Sequence, residues 1–149
     1  MTDTLYLLDV NVLIGLLWPA HASHKPALKW FSNQAGSSWA TCVLTQAGFV
    51  RISSQPAAVE SPNDPSFAAK VMKKATQVPE HKLLSIDFDY SRVLQTCTGG
   101  ILGHRQITDA WLLATAVRHQ CKLVTFDAGI RQLLATEAER QKHLVVLSG

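Results

Sequence analysis

The chain has 149 residues, of which 47% are hydrophobic and 17% are charged, with 14 basic and 11 acidic side chains. This composition excludes an intrinsically disordered chain, and the length is enough for one domain with a hydrophobic core. The net charge of +3 is compatible with a nucleic-acid partner but does not demonstrate one.

The hydrophobic periodicity and the turn residues predict strands that alternate with helices. In chain order, the predicted elements are a strand at 5–8, helices at 10–18 and 23–34, a strand at 38–41, helices at 43–52 and 67–76, a strand at 81–86, a short helix ending near 95, a long buried helix ending near 119, a strand at 122–126, a short helix ending near 134 and a strand at 144–147. The proline-rich segment 53–66 is interpreted as a loop within one domain, and 98–103 as a flexible connection. The alternation predicts an α/β fold with three layers, α/β/α, around a central parallel sheet.

No apolar run approaches the length needed to cross a bilayer, and no basic stretch precedes the first apolar run, so neither a membrane span nor a signal peptide is expected. We therefore expect a cytoplasmic protein that has no membrane partner. Cys42, Cys97 and Cys121 lie far apart and form no C-x-x-C pair. This pattern favours buried, reduced thiols over a zinc site or a disulfide framework.

Three aspartates occupy related places in the predicted fold. Asp9 and Asp127 each follow an apolar strand and precede a helix, and Asp109 lies near the start of the helix that leads to the Asp127 strand. The carboxyl ends of parallel strands meet at one edge of a sheet, and a right-handed crossover returns the start of that helix to the same edge. We therefore expect the three carboxylates to converge.

Each aspartate also has a purely structural explanation. Asp9 and Asp127 are suited to cap their helices, and Asp109 lies in a first turn, where the helix dipole favours negative charge. Three carboxylates at one place, however, repel one another unless a cation neutralises them. Oxygen ligands suit a hard ion such as Mg²⁺ or Mn²⁺.

Four segments of the chain resemble the PIN-domain ribonucleases, and among them the VapC-like toxins of type II toxin–antitoxin pairs. The matching segments are 8–11, 44–51, 108–110 and 124–127, and they keep the family's order and spacing. The resemblance covers the whole chain and implies a single PIN-like domain over residues 1–149. It also implies a Mg²⁺- or Mn²⁺-dependent endoribonuclease that leaves 5′-phosphate and 3′-hydroxyl ends on RNA. The partners implied are a second copy of the chain and an antitoxin whose tail lies in the active-site groove.

By the same resemblance, the catalytic and metal-binding residues are Asp9, Asp109 and Asp127, and Asn11 and Thr125 support them. The segment 53–74 is the predicted wall of the antitoxin groove.

Gln46 departs from the family pattern, which often has a glutamate at this place. We count it among the supporting residues, but an amide lacks the charge of a carboxylate, which puts a firmly bound second metal ion in question. If Gln46 faces the metal site, Gln46→Glu is expected to tighten metal binding. If it lies on the outside of its helix, the substitution is expected to change almost nothing.

His104 and Arg105, one turn before Asp109, are candidates for contact with RNA phosphates, and the alternative is a solvated helix start. Two other functions stay open. Asp9 and Asn11 weakly suggest an aspartate-dependent phosphatase. Gln46 keeps open a non-catalytic or weakly active PIN-fold module that binds RNA or protein.

Overall fold

A computed structural model of the protein describes residues 4–34, 36–56 and 64–149. The strands are β1 (Leu5–Leu8), β2 (Ser38–Cys42), β3 (His81–Leu84), β4 (Lys122–Thr125) and β5 (Leu144–Val146). The α-helices are α1 (Val10–Leu17), α2 (His24–Ser32), α3 (Val43–Ser53), α4 (Pro65–Thr76), α5 (Tyr90–Thr96), α6 (Ile107–Arg118) and α7 (Glu137–His143). Two 3₁₀ helices lie at His104–Gln106 and Ala128–Leu133.

The five strands form one parallel sheet in the order β3-β2-β1-β4-β5. The central strand β1 pairs with both β2 and β4, and Leu7 is opposite Ala40 on one side and Leu123 on the other. Because helices cover both faces of this strand, its residues form a continuous apolar run rather than an alternating one. The predicted three-layer α/β/α fold is confirmed.

The two hydrophobic clusters lie on opposite faces of the sheet, which is why the neighbours Leu7 and Leu8 belong to different clusters. The cluster on the Leu8 face joins α1, α3 and α4 through Val12, Leu13, Phe49 and Met72. The cluster on the Leu7 face joins α5, α6 and the second 3₁₀ helix through Val93, Leu112, Leu113, Ile130 and Leu133. Residues 112–116 of α6 are all buried, as expected for a helix that is apolar on nearly all sides.

Several element boundaries differ from the prediction. Helix α4 begins at Pro65 rather than at residue 67, because the Asp64 carboxylate accepts a hydrogen bond from the Phe67 amide at 2.9 Å and proline suits a first helical position. Strand β3 ends at Leu84 rather than at residue 86, and the helix after Asp127 is a 3₁₀ helix. The middle of the predicted 53–66 loop, at 57–63, lies outside the described residues.

Helix α7 was not predicted. Its N-cap is Thr136, whose hydroxyl oxygen accepts a hydrogen bond from the Glu139 amide at 3.2 Å. The threonine with a glutamate three residues later is a capping-box pattern, so the sequence does contain a signal for this helix.

The three cysteines are free and buried. Burial raises the pKa of the Cys97 thiol to about 11 and that of the Cys121 thiol to about 12. Such thiols stay protonated near neutral pH and are poor nucleophiles. Across the described ranges, no helix has both the length and the hydropathy that a membrane span requires.

Candidate active site

Asp9 lies at the carboxyl end of the central strand and is only 7% exposed. One carboxylate oxygen, Oδ1, accepts a hydrogen bond from the Val10 amide at 2.7 Å and caps α1. The other, Oδ2, accepts a hydrogen bond from the Thr125 hydroxyl at 2.7 Å. Burial raises the pKa of Asp9, the two hydrogen bonds oppose that rise, and the charge of Asp127 adds to it. The capping role is therefore real, but it uses only one of the two oxygens.

The Thr125 hydroxyl joins β1 to β4 at this edge. It donates its single proton to Asp9 and accepts from Asn11 Nδ2 at 3.2 Å and from the Asp127 amide at 3.1 Å. Asn11 is held in turn by the Phe126 amide, which donates to its Oδ1 at 3.2 Å. A hydroxyl has one donor and two acceptor positions, so Thr125 has no free hydrogen-bonding capacity. The structure thus brings two of the three predicted supporting residues, Asn11 and Thr125, together with Asp9 and fixes the direction of its carboxylate.

Asp127 directly follows β4 and caps the 3₁₀ helix Ala128–Leu133, where its Oδ1 accepts a hydrogen bond from the Gly129 amide at 2.9 Å. Asp109 is half-buried in the first turn of α6. Partial burial, followed by the charges of Asp9 and Asp127, raises the pKa of Asp109 to about 6. The three predicted acids therefore lie at one edge of the sheet, close enough to affect one another electrostatically.

Gln46 makes its hydrogen bond on the β2–β3 side of the sheet. Its Nε2 donates to Thr41 Oγ1 at 3.0 Å, and the same oxygen lies 2.7 Å from His81 Nε2. Two residues further along α3, an added Cβ at Gly48 would lie 2.5 Å from Val10 Cγ2, so α3 packs closely against the start of α1 at this point. Within the described residues, no hydrogen bond joins Gln46 to an aspartate of the site.

His104 and Arg105 are both exposed in the 3₁₀ helix His104–Gln106, immediately before α6. Sequence inspection did not single out the next residue, Gln106. Its Nε2 donates to Gln132 Oε1 at 2.7 Å, across 26 positions of the chain. No motif marks either glutamine, so only the fold reveals that they meet.

Carboxylate oxygens are the donors that this edge of the sheet offers to a divalent cation. Over residues 4–34, 36–56 and 64–149, no three His, Cys, Asp or Glu side chains are arranged to hold one metal ion together. Carboxylate oxygens of Asp9, Asp109 and Asp127 are nevertheless the donors that Mg²⁺ prefers, and a cation would offset the charges that raise the pKa of Asp109. Mg²⁺ commonly takes one or two carboxylates and keeps water or phosphate oxygens in its remaining positions. The residues therefore fit an open Mg²⁺ site rather than a closed protein cage.

Comparison with known proteins identifies a family over most of the chain. Residues 6–134 match the family model described as PIN domain. Ribonuclease VapC38 of Mycobacterium tuberculosis (strain ATCC 25618 / H37Rv) is 41% identical over 124 residues, which are 83% of this chain and 86% of that protein. Ribonuclease VapC44 of Mycobacterium tuberculosis (strain CDC 1551 / Oshkosh) is 38% identical over 143 residues, which are 95% and 98% of the two chains.

Solved structures agree on the fold. The crystal structure of VapBC2 from Rickettsia felis, bound to a DNA fragment from its promoter, contains a chain that matches with a TM-score of 0.62 at 12% identity, covering 97% of this chain and 99% of that one. A chain in the crystal structure of FitAcB from Neisseria gonorrhoeae matches with a TM-score of 0.56 at 15% identity, covering 93% and 95%. With the family model matched over residues 6–134 and relatives at 38–41% identity, the chain belongs to the PIN-domain family.

Proposed function

We propose that this chain is a divalent-metal-dependent endoribonuclease and the toxin of a toxin–antitoxin pair. The observation that carries the proposal is the meeting of Asp9, Asp109 and Asp127 at one sheet edge, where the charges of the other two acids help to raise the pKa of Asp109. The relatives named Ribonuclease VapC support RNA as the substrate. The domain that carries the activity extends, in this proposal, over residues 1–149.

Asp9, Asp109 and Asp127 would supply the carboxylate oxygens for the cation. When bound, such a cation lowers the pKa of a coordinated water and offsets charge that develops on the phosphate. Asn11 and Thr125 hold Asp9 in one orientation, because the Thr125 hydroxyl donates to Asp9 and is itself held by the Asn11 amide. A carboxylate that is prevented from rotating needs less reorganisation when the substrate binds.

The hydrolysis needs a group that takes a proton from the attacking water. A carboxylate at this edge of the sheet, Asp109 or Asp127, would accept that proton in our proposal. The water oxygen forms a bond to phosphorus while its proton passes to the carboxylate. The bond from phosphorus to the 3′ oxygen breaks and that oxygen takes a proton, which leaves a 5′-phosphate and a 3′-hydroxyl.

RNA would be held near this base by His104 and Arg105. Both side chains are exposed at the start of α6, about one helical turn before Asp109. An arginine suits a phosphate because its planar guanidinium donates two parallel hydrogen bonds.

An antitoxin would bind the groove between α3 and α4, which has a volume of about 740 Å³ and starts beside Gln46. Its apolar lining includes Val50 and Met72, and its cations are Arg51 and Lys73. This lining suits a partner helix with an apolar stripe flanked by carboxylates. We further propose that the toxin is a homodimer and acts in the cytoplasm, as the resemblance implies.

The decisive experiment compares Asp9→Asn with Asp64→Asn in an RNA cleavage assay, with Mg²⁺ and with EDTA. Both aspartates cap a helix, and asparagine caps about as well as aspartate, so both variants should remain folded. We expect Asp9→Asn to lose at least about 100-fold in rate, a loss of the size seen when a transition-state-stabilising group is removed. Asp64→Asn and the wild type should cleave equally, and EDTA should stop both.

Wild-type cleavage by Asp9→Asn would mean that Asp9 is only a cap and would refute the proposal. Phosphate release from small esters without RNA cleavage would indicate the phosphatase alternative. RNA binding without cleavage would indicate the non-catalytic module. Expression of the wild type in bacteria should arrest growth, and expression of Asp9→Asn should not.

A further inference from the structure

Gln132 connects three separate parts of the chain beside the candidate site. Its Nε2 donates to the carbonyl oxygens of Gly99 and Gly100, at 3.0 and 2.8 Å, and its Oε1 accepts from Gln106 Nε2 at 2.7 Å. Gln106 Oε1 in turn accepts from the Leu102 amide at 2.8 Å. The two glutamines therefore hold the segment 98–103, which the sequence predicts to be a flexible connection.

The backbone of this loop lies directly on the 3₁₀ helix Ala128–Leu133. The Gly99 amide donates to the Leu133 carbonyl oxygen at 2.8 Å. A Cβ at position 99 would collide with the Gln132 carbonyl oxygen, so this close approach requires glycine. Gly100 has a φ of +86°, a left-handed conformation that also favours glycine.

The same two glutamines flank the candidate site. Gln106 is the N-cap residue of α6, and Asp109 lies in the first turn of that helix. Gln132 belongs to the 3₁₀ helix that Asp127 caps. The Gln106–Gln132 hydrogen bond therefore ties the start of α6 to the segment that directly follows Asp127.

We propose that Gln106 and Gln132 are positioning residues that set the distance between Asp109 and Asp127. The inference rests on the proposed function, in which these two carboxylates contribute to a divalent-cation site. Asp109 and Asp127 repel each other, and Asp127 is exposed at the start of a short helix. Without the link between their two segments, that repulsion favours a wider separation, and an ion would have to draw the carboxylates together at the cost of affinity.

The test is calorimetric titration of Mn²⁺ into the full chain and its Gln106→Met, Gln132→Met and double variants. Methionine keeps the length and volume of glutamine but removes the amide. We expect each single variant to bind Mn²⁺ about 10-fold more weakly, the lower end of the loss seen for residues that support metal ligands. The double variant should bind no more weakly than Gln132→Met, because both substitutions remove the same bond.

A matched control is Gln34→Met. Gln34 is also half-buried and hydrogen-bonded, to the Tyr6 hydroxyl at 3.2 Å, but it lies before the amino end of β2 rather than at the carboxyl edge. Its Mn²⁺ affinity should equal that of the wild type. Gln106→Met keeps both bonds from Gln132 to the glycines, so its fold should survive even if Gln132→Met is unstable.

Thermal unfolding of each variant in EDTA separates positioning from ordinary stabilisation. A lower Tm with unchanged Mn²⁺ affinity would overturn the inference, because it would show a structural role alone. Mn²⁺ binding that is lost in Asp9→Asn but unchanged in both methionine variants would overturn it while leaving the proposed function intact. A wild-type chain that binds no Mn²⁺ would refute the metal site and this inference together.

Discussion

Replacing Asp109 by asparagine should make the metal-free protein more stable while it removes activity. In the folded chain, burial and the charges of Asp9 and Asp127 disfavour the ionised form of Asp109 and raise its pKa from 3.8 to about 6. Ionised Asp109 therefore destabilises the fold at neutral pH. Asparagine has nearly the same shape but no charge to hold near the other two carboxylates.

The size of the gain follows from the two pKa values. At 1.36 kcal/mol per pKa unit, the difference corresponds to an upper limit of about 3 kcal/mol. Asp109 is only half-buried, so solvent screening reduces this value, and the variant also loses a favourable charge at the α6 N-terminus. We expect a net gain of about 1 kcal/mol, which corresponds to a rise in Tm of about 2–4 °C for a chain of this size.

The gain should depend on pH in a defined direction. Because the folded-state pKa is above the unfolded value, the folded state holds more protons between pH 4 and 6, so the wild type loses stability as pH rises through this window. The variant should lose less, so the two curves should meet near pH 4 and separate by pH 7. Urea unfolding in EDTA at several pH values measures this difference, with Asp64→Asn as the control for an exposed capping aspartate. An Asp109→Asn variant that is less stable at pH 7, or a difference equal at pH 4 and pH 7, would refute the electrostatic explanation.

Three further substitutions test the surroundings of the site. Gly48→Ala should destabilise the fold by about 1 kcal/mol in urea unfolding, because a Cβ 2.5 Å from Val10 Cγ2 forces a stiff side chain to move, and this outweighs the better helix propensity of alanine. Gln46→Glu should change the Mn²⁺ affinity measured by calorimetry by less than about fivefold. The Gln46 amide is hydrogen-bonded to Thr41, and a solvent-screened charge at this position contributes less than about 1 kcal/mol. A larger gain would show that this side chain reaches the ion. Arg105→Ala should weaken the binding of RNA measured in EDTA, where no cleavage occurs. The slope of log binding constant against log salt concentration should fall by about 0.7, the value for one lost phosphate contact on a single strand. An unchanged slope would mean that Arg105 is only solvated.

The convergence of the three aspartates at one edge of the sheet could be predicted from the sequence, because it follows from the order of the strands and helices. Asp9 and Asp127 each follow a strand, parallel strands end at one edge, and Asp109 begins the helix that leads back to it. These inferences require the type and order of the elements but no knowledge of side-chain rotamers. The same is true of the apolar run at β1, whose burial on both faces follows from its central place.

Details that depend on side-chain direction could not be predicted. Nothing in the order of residues indicates that Gln46 donates to Thr41, or that Gln106 meets Gln132 across 26 positions. The segment 98–103 shows no regular pattern in the sequence, because its hydrogen-bond partners lie elsewhere in the chain. Helix α7 is a different case, because its capping pattern at Thr136 and Glu139 is local and available from the sequence.

The site draws its parts from regions that should differ in their resistance to local opening. Asp9 extends from a strand that is paired on both sides and covered on both faces, and its amide donates to the Val124 carbonyl oxygen at 2.9 Å. Amide hydrogens in such a strand exchange with solvent only when most of the molecule unfolds. Asp109 and Asp127, in contrast, lie in the first turn of α6 and at the N-cap of a 3₁₀ helix, and the ends of helices open at lower free energy. One acid is thus held by the sheet itself, whereas the separation of the other two depends on local hydrogen bonds such as that between Gln106 and Gln132.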